Sequence, residues 1–153
     1  MATTRILVVD DDQATLDLMQ EILSEDGHEV HCVPAVSADL REILAAPPDL
    51  LIVDLLLSEH GRDLSGWDLV RLVKSHRGFT NLQILVVSAD YPTLRGHIAE
   101  AAEMDGVRLL TKPFSLDSLS VLVRDALRSD ARQSTRSPVP AIPPRPPYPR
   151  SVS

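Results

Sequence analysis

Five strand-length runs rich in aliphatic and β-branched residues punctuate the first 130 residues, at 6–9, 30–33, 50–53, 84–87 and 107–110. Residues of this kind favour extended backbone. Between the runs the spacing turns helical. Leu16, Met19, Ile22 and Leu23 share one helix face. Leu69, Leu72 and Val73 mark a helix ahead of the fourth run. Leu116, Leu119, Leu122, Val123, Ala126 and Leu127 mark the last one. Weaker helical patterns cover 37–46 and 93–104; the latter offers mostly alanines for burial. Strands alternating with helices build right-handed βαβ units on a parallel sheet. The fold class is therefore α/β, a doubly wound five-stranded parallel sheet.

The runs also suggest a strand order. The first, third and fourth are continuously apolar, as expected where helices cover both faces. The second (EVHCV at 29–33) alternates and the fifth carries Arg108. Interruption of this sort is tolerated at sheet edges. Edges at the second and fifth strands give the flavodoxin-like order 2-1-3-4-5, whose crevice lies beyond the C-terminal strand ends.

That crevice gathers residues far apart in sequence: Asp10, Asp11 and Asp12 after the first strand, Asp54 after the third, Ser88 after the fourth, and Thr111, Lys112 and Pro113 after the fifth. Asp12 reads as the N-cap of the first helix. Asp10, Asp11 and Asp54 bring three negative charges and Lys112 one positive. The deficit is costly in a partly desolvated site unless a cation enters. An all-oxygen ligand set suits Mg²⁺, Mn²⁺ or Ca²⁺ and not zinc. Mg²⁺ commonly takes one or two carboxylates together with a phosphoryl oxygen, which points to a phosphorylated ligand or residue.

With these residues in view, the chain resembles the receiver domain of two-component response regulators, the CheY-like fold. The matching pieces are ILVVDDD at 6–12, PDLLIVD at 48–54, ILVVSA at 84–89 and LLTKPF at 109–114. The resemblance implies that Asp54 is the phospho-acceptor, taking a phosphoryl group from a phosphohistidine of a sensor histidine kinase or a histidine phosphotransfer protein. It implies Mg²⁺ (or Mn²⁺) at Asp11 directly and at Asp10 mainly through water, with Asp54 and the backbone carbonyl of Leu56 as further ligands. Lys112 then pairs with the phosphoryl oxygens, Ser88 is the switch hydroxyl, and Lys112–Pro113 is cis.

Three features depart from that pattern. Leu109 stands where the family carries an aromatic ring, so signalling past the fifth strand is expected to be altered or to run through other residues. Gly66 comes twelve residues after Asp54 rather than about eight, with the extra length within 58–65 and Ser58 in place of the common proline. A longer solvated loop is the expectation, with His60 or Arg62 over the crevice as its rival. Leu56 offers no polar group to position an attacking water, which favours a moderately long-lived phosphoryl group. Asp90, two residues after Ser88, could position such a water or repel an anion. Trp67 reads as a packing residue, and the five histidines show no metal spacing.

Charge divides the chain. Residues 1–130 hold 11 basic and 22 acidic residues, a net −11, while 131–153 hold four arginines and no acid. Seven of the twelve prolines fall within 138–153, which precludes long helix or strand. A receiver domain over 1–130 and a disordered, proline-rich basic tail over 131–153 are expected. The tail's PAIPPR at 140–145 fits the PxxPxR pattern accepted by polyproline-binding grooves, although a plain tether is the simpler reading. A net charge of −7 argues against direct nucleic-acid binding or an anionic membrane surface. The single cysteine, Cys32, excludes an internal disulfide. No apolar stretch is long enough to span a bilayer and no signal peptide is evident, so the expected location is cytoplasmic.

The expected function is that of a stand-alone, non-enzymatic signalling switch of a two-component system or phosphorelay, with output by contact with a downstream protein. A receiver-like scaffold that works without phosphorylation is the alternative. A phosphotransferring hydrolase is disfavoured because Leu56 lacks the second acid such enzymes use.

Overall fold

The computed structural model of the chain describes residues 4–34, 47–55, 66–79 and 81–132, the last four as backbone only. The expected second helix at 37–46, Leu56, the 58–65 loop and residues 133–153 lie outside the described residues. The elements run β1 (Arg5–Val9), α1 (Gln13–Glu25), β2 (Glu29–Val33), β3 (Leu50–Asp54), α2 (Gly66–Ser75), a 3₁₀ turn (Arg77–Phe79), β4 (Gln83–Ser88), α3 (Tyr91–Arg95), α4 (Ile98–Ala102), β5 (Val107–Thr111) and α5 (Leu116–Arg132). The last helix therefore continues two residues past 130.

All strand pairs are parallel, in the order β2-β1-β3-β4-β5. Both the fold class and the strand order match the sequence reading. Alternate side chains of each strand feed different cores. Leu7, Val9, Leu51, Val53, Ile84 and Val86 pack with Leu69, Val70 and Val73 of α2, and with Leu94 of α3 and Ala101 of α4. On the other face, Ile6, Val8, Leu50, Ile52, Leu85 and Val87 pack with Leu16, Met19 and Leu23 of α1 and with Leu119 and Val123 of α5. Two buried layers on one sheet explain why β1, β3 and β4 read as unbroken apolar runs.

Local sequence sets the boundaries. Asp12 caps α1, its carboxylate accepting from the Thr15 amide at 3.1 Å. Gly27, at a φ of 96°, follows the helix end in a conformation that favours glycine. The 93–104 pattern resolves into two five-residue helices separated by Gly96 and His97. The first starts earlier than the alanine spacing indicates: Asp90 caps it through Thr93, and Pro92 occupies its first turn.

Two apolar residues assigned to core faces are instead exposed. Leu72 lies 42% exposed because the buried set Gly66, Trp67, Leu69, Val70 and Val73 centres on a face about 130° around the helix from it. Leu116 is 53% exposed at the first position of α5.

Arg108 corrects the reasoning about β5, though not its place at the edge. The guanidinium is only 6% exposed and donates to Gln83 Oε1 at 3.0 Å. Burial pushes its pKa down, and nearby Asp125 of α5 opposes that shift. Gly106 makes room for the pair: its φ is 78°, and a Cβ there would lie 2.6 Å from Gln83 Nε2.

Gly66 has the most direct bearing on the crevice. Its amide donates to the Leu55 carbonyl at 3.0 Å. A Cβ on it would collide with the Asp54 carbonyl oxygen and lie 2.8 Å from the Leu55 Cα. Gly66→Ala is expected to destabilise the fold by about 1–3 kcal/mol, the usual cost of overpacking against backbone, read from urea denaturation.

Candidate functional site

The C-terminal ends of β1, β3, β4 and β5 converge on one crevice. Asp10 directly follows β1, and its amide reaches across to the Val33 carbonyl of β2 at 3.3 Å. Asp54 ends β3, Ser88 ends β4, and Thr111 ends β5 just before Lys112. The backbone ties these ends together: the Leu55 amide donates to the Val87 carbonyl at 2.9 Å, and the Lys112 amide to the Ser88 carbonyl at 2.8 Å. The Lys112–Pro113 peptide is cis.

Lys112 is the electrostatic centre. Its ammonium donates to Asp54 Oδ2 at 2.9 Å and to Asp10 Oδ2 at 3.2 Å. Burial works against that charge, but the two carboxylates outweigh it and raise the lysine pKa. Asp10 is 1% exposed. Its carboxyl is pushed up to about 6, chiefly by burial; the Asp12 amide pulls it back, the Asp54 charge raises it, and Lys112 lowers it. The Asp12 amide donates to Asp10 Oδ1 at 2.8 Å.

One carboxylate oxygen each from Asp10, Asp11 and Asp54 falls within 4.8 Å of the others. Oxygens on opposite sides of a bound divalent cation stand about 4–5 Å apart, so this donor set fits Mg²⁺ or Mn²⁺. The structure thus brings together Asp10, Asp11, Asp54, Lys112 and Ser88 at the strand ends; Leu56 lies outside the described residues.

Ser88 is fully buried. Its hydroxyl accepts from the Asp90 amide at 3.0 Å, leaving its own hydrogen to donate. Asp90, which the sequence reading left able to position a water or repel an anion, caps α3. Both its oxygens hold Thr93, one through the amide at 3.2 Å and one through the hydroxyl at 2.8 Å. The DYPT run at 90–93, a cap followed by a first-turn proline, carries that information locally.

A second polar cluster had no sequence signal, because its members are 33 residues apart. Trp67 is buried as expected, yet its indole Nε1 donates to Glu100 Oε1 at 2.9 Å. Arg71 clasps the same carboxylate with two bonds of 2.8 and 2.9 Å. The His97 ring stacks on Trp67 with centroids 4.4 Å apart.

Comparison with known proteins places this geometry. The response regulator receiver domain profile matches residues 6–124. The chain belongs to the receiver domain family. It is 33% identical over 130 residues to the DNA-binding transcriptional regulator NtrC of Azospirillum brasilense, covering 85% of this chain and 25% of that protein. The crystal structure of NtrX from Brucella abortus superposes with a TM-score of 0.72 at 29% identity, over 87% of this chain and 29% of that one. A CheY-like receiver domain protein from Methanospirillum hungatei JF-1 shares the fold at a TM-score of 0.71 and 24% identity, over 86% of this chain and 99% of that one. The chain thus spans about a quarter of NtrC's length. Receiver domains of two-component systems are phosphorylation-dependent signalling switches rather than ordinary enzymes. They take phosphoryl groups from sensor histidine kinases and generally bind Mg²⁺ in an acidic pocket. Among the described residues no helix is long and apolar enough to cross a membrane.

The raised Asp10 pKa has a definite sign. The folded, metal-free protein holds the Asp10 proton more tightly than the unfolded chain does. Ionising Asp10 therefore removes stability as pH rises from about 4 through about 6. Asp10→Asn should stabilise the metal-free protein at pH 7 by on the order of 1–3 kcal/mol, a gain that shrinks toward pH 4. Urea denaturation in EDTA at both pH values measures it. Mg²⁺ should raise the wild-type Tm more at pH 7 than at pH 5, because the metal must displace the proton.

Proposed function

We propose that Asp54 accepts a phosphoryl group from a phosphohistidine of a sensor histidine kinase or a histidine phosphotransfer protein, and that the modified domain signals by contact with a downstream protein. The observation that carries this reading is the Lys112 ammonium shared by the Asp54 and Asp10 carboxylates beside Asp11. In the transfer an Asp54 carboxylate oxygen attacks phosphorus and the phosphorus–nitrogen bond breaks. The bonding pair returns to the imidazole, which takes up a proton. Lys112 pairs with the incoming phosphoryl oxygens. The Ser88 hydroxyl donates its hydrogen to one of them, turning away from the Asp90 amide to do so. Asp10, Asp11, Asp54 and the Leu56 carbonyl are the residues that would hold Mg²⁺. That ion, when bound, supplies charge neutralisation for the phosphoryl oxygens.

Catalysis here is of the domain's own modification, and the adduct should outlast seconds because Leu56, two residues after Asp54, has no polar group to position an attacking water. The division into a receiver over 1–130 and a basic tail from 131 belongs to the same reading. So does the absence of direct nucleic-acid contact by these residues, which the acidic balance of 1–130 supports.

A donor surface adjoins the crevice. α1 begins just after Asp10–Asp12 and α5 just after Lys112–Phe114, and the two helices are linked where Ser120 Oγ donates to Asp26 Oδ2 at 2.8 Å. Leu18 on α1 and Leu116 on α5 are 42% and 53% exposed. Apolar side chains flanking the acceptor suit a helical phosphohistidine protein.

Incubation with Mg²⁺ and acetyl phosphate should add one phosphoryl group by intact mass, lost in Asp54→Ala; absence of the adduct would favour the scaffold alternative. Leu18→Glu or Leu116→Glu should leave that small-donor reaction unchanged while slowing transfer from a phosphorylated protein donor by about tenfold.

A further inference from the structure

The α3–α4 pair is thinly anchored by burial. Each helix has five residues and buries one side chain fully, Leu94 in α3 and Ala101 in α4, with Ile98 of α4 half-buried on the same core. Polar ties hold its two ends. At the α3 end, the Asp90 amide donates to the Ser88 hydroxyl at 3.0 Å, and the Asp90 carboxylate caps the helix through Thr93. At the α4 end, Glu100 is held by Trp67 at 2.9 Å and by Arg71 at 2.8 and 2.9 Å, with His97 stacked on the Trp67 ring. Asp68, one turn before Arg71, lies 3.6 Å from its guanidinium.

Trp67 leads straight back to the acceptor. It follows Gly66, whose amide bonds the Leu55 carbonyl at 3.0 Å and whose Cα is pressed against the Asp54–Leu55 backbone. The two ties differ in kind. The Ser88 tie is a single bond to a hydroxyl that, on the function proposed above, turns to meet the phosphoryl group. The Glu100 tie is a bidentate ion pair reinforced by an indole hydrogen bond. Charge-assisted bidentate contacts of this sort hold geometry better than one neutral hydrogen bond. On the sheet side Leu94 and Ala101 share a core with Val107 and Leu109.

We propose that Glu100, clasped by Trp67 and Arg71, is the positioning residue that serves as the fixed pivot of the α3–α4 pair, so that release of the Ser88–Asp90 bond frees α3 while α4 stays anchored. The proposal rests on Asp54 being the phospho-acceptor. It assigns the output change to residues 91–95 and the reference point to Glu100. The clasp also lowers the Glu100 carboxyl to about 2, chiefly through its bonds to Arg71 and Trp67, so the ion pair persists below the ordinary carboxylate range.

The test is amide hydrogen exchange by NMR on the full chain, with and without acetyl phosphate and Mg²⁺, with intact mass read on the same samples. In the wild type, phosphorylation should speed exchange several-fold in 91–95 and leave 98–102 unchanged. In Glu100→Ala the adduct should form to the same level, but both segments should exchange fast in either state, so that the phosphorylation-dependent difference is lost. Trp67→Phe keeps the ring and removes the indole donor; should Glu100→Ala not fold, the same loss is expected there. An unchanged difference in the variants, or equal changes in 91–95 and 98–102 of the wild type, would overturn the pivot while leaving Asp54 as acceptor. A wild-type chain that forms no adduct would overturn the acceptor reading, and the pivot with it.

Discussion

A lysine ammonium held between two carboxylates at the mouth of a parallel sheet is the contact on which the rest depends. Lys112 lies 2.9 Å from Asp54 and 3.2 Å from Asp10, and these acids come from strands that are neighbours only because the sheet places β1 beside β3. Removing charges from water is costly, and one cation among three acids does not balance them. The fold accepts that imbalance because two aliphatic cores, one on each sheet face, fix the strand ends. Stability is thus supplied by the sheet and reactivity by the acids gathered at its C-terminal strand ends.

The same division of labour extends outward. The helices that flank the crevice on the α1–α5 face bury broad apolar stripes and are long, at 13 and 17 residues. Those on the other side of β4, α3 and α4, are a third of that length or little more, and depend on side-chain hydrogen bonds. Elements held by a few polar contacts open at lower free energy than elements held by a core. A change of charge in the crevice will therefore be felt first where burial is least.

Much of this was legible in the chain because it is written in local patterns. The runs at 6–9, 50–53 and 84–87 declare buried strands, and the residues just after them declare the crevice, since a parallel sheet can put its loops nowhere else. Asp12 announces its cap by its place before a helical stripe. Legibility fails where the cause is tertiary. Arg108 reads as a solvated edge charge and is in fact buried, because Gln83 and Asp125 meet it from another strand and another helix. Leu116 fits the α5 stripe by spacing, but as the first residue of that helix it lies outside the core that Leu119 enters. The break at Gly96 and the Trp67–Glu100 bond likewise depend on which helix faces which, something no window of sequence contains.

Gly66 carries a consequence for how such a domain can vary. Its amide closes onto the Leu55 carbonyl, so the chain leaves and rejoins the scaffold at nearly one point. A segment spliced between two such points enlarges a closed ring without moving its clasp. The entropic penalty of a larger ring grows only logarithmically, by about 0.6 kcal/mol for each doubling. Length added after Leu56 and before Gly66 therefore costs little entropy, and the junction can lengthen while Leu55 and Gly66 stay joined beside the aspartate.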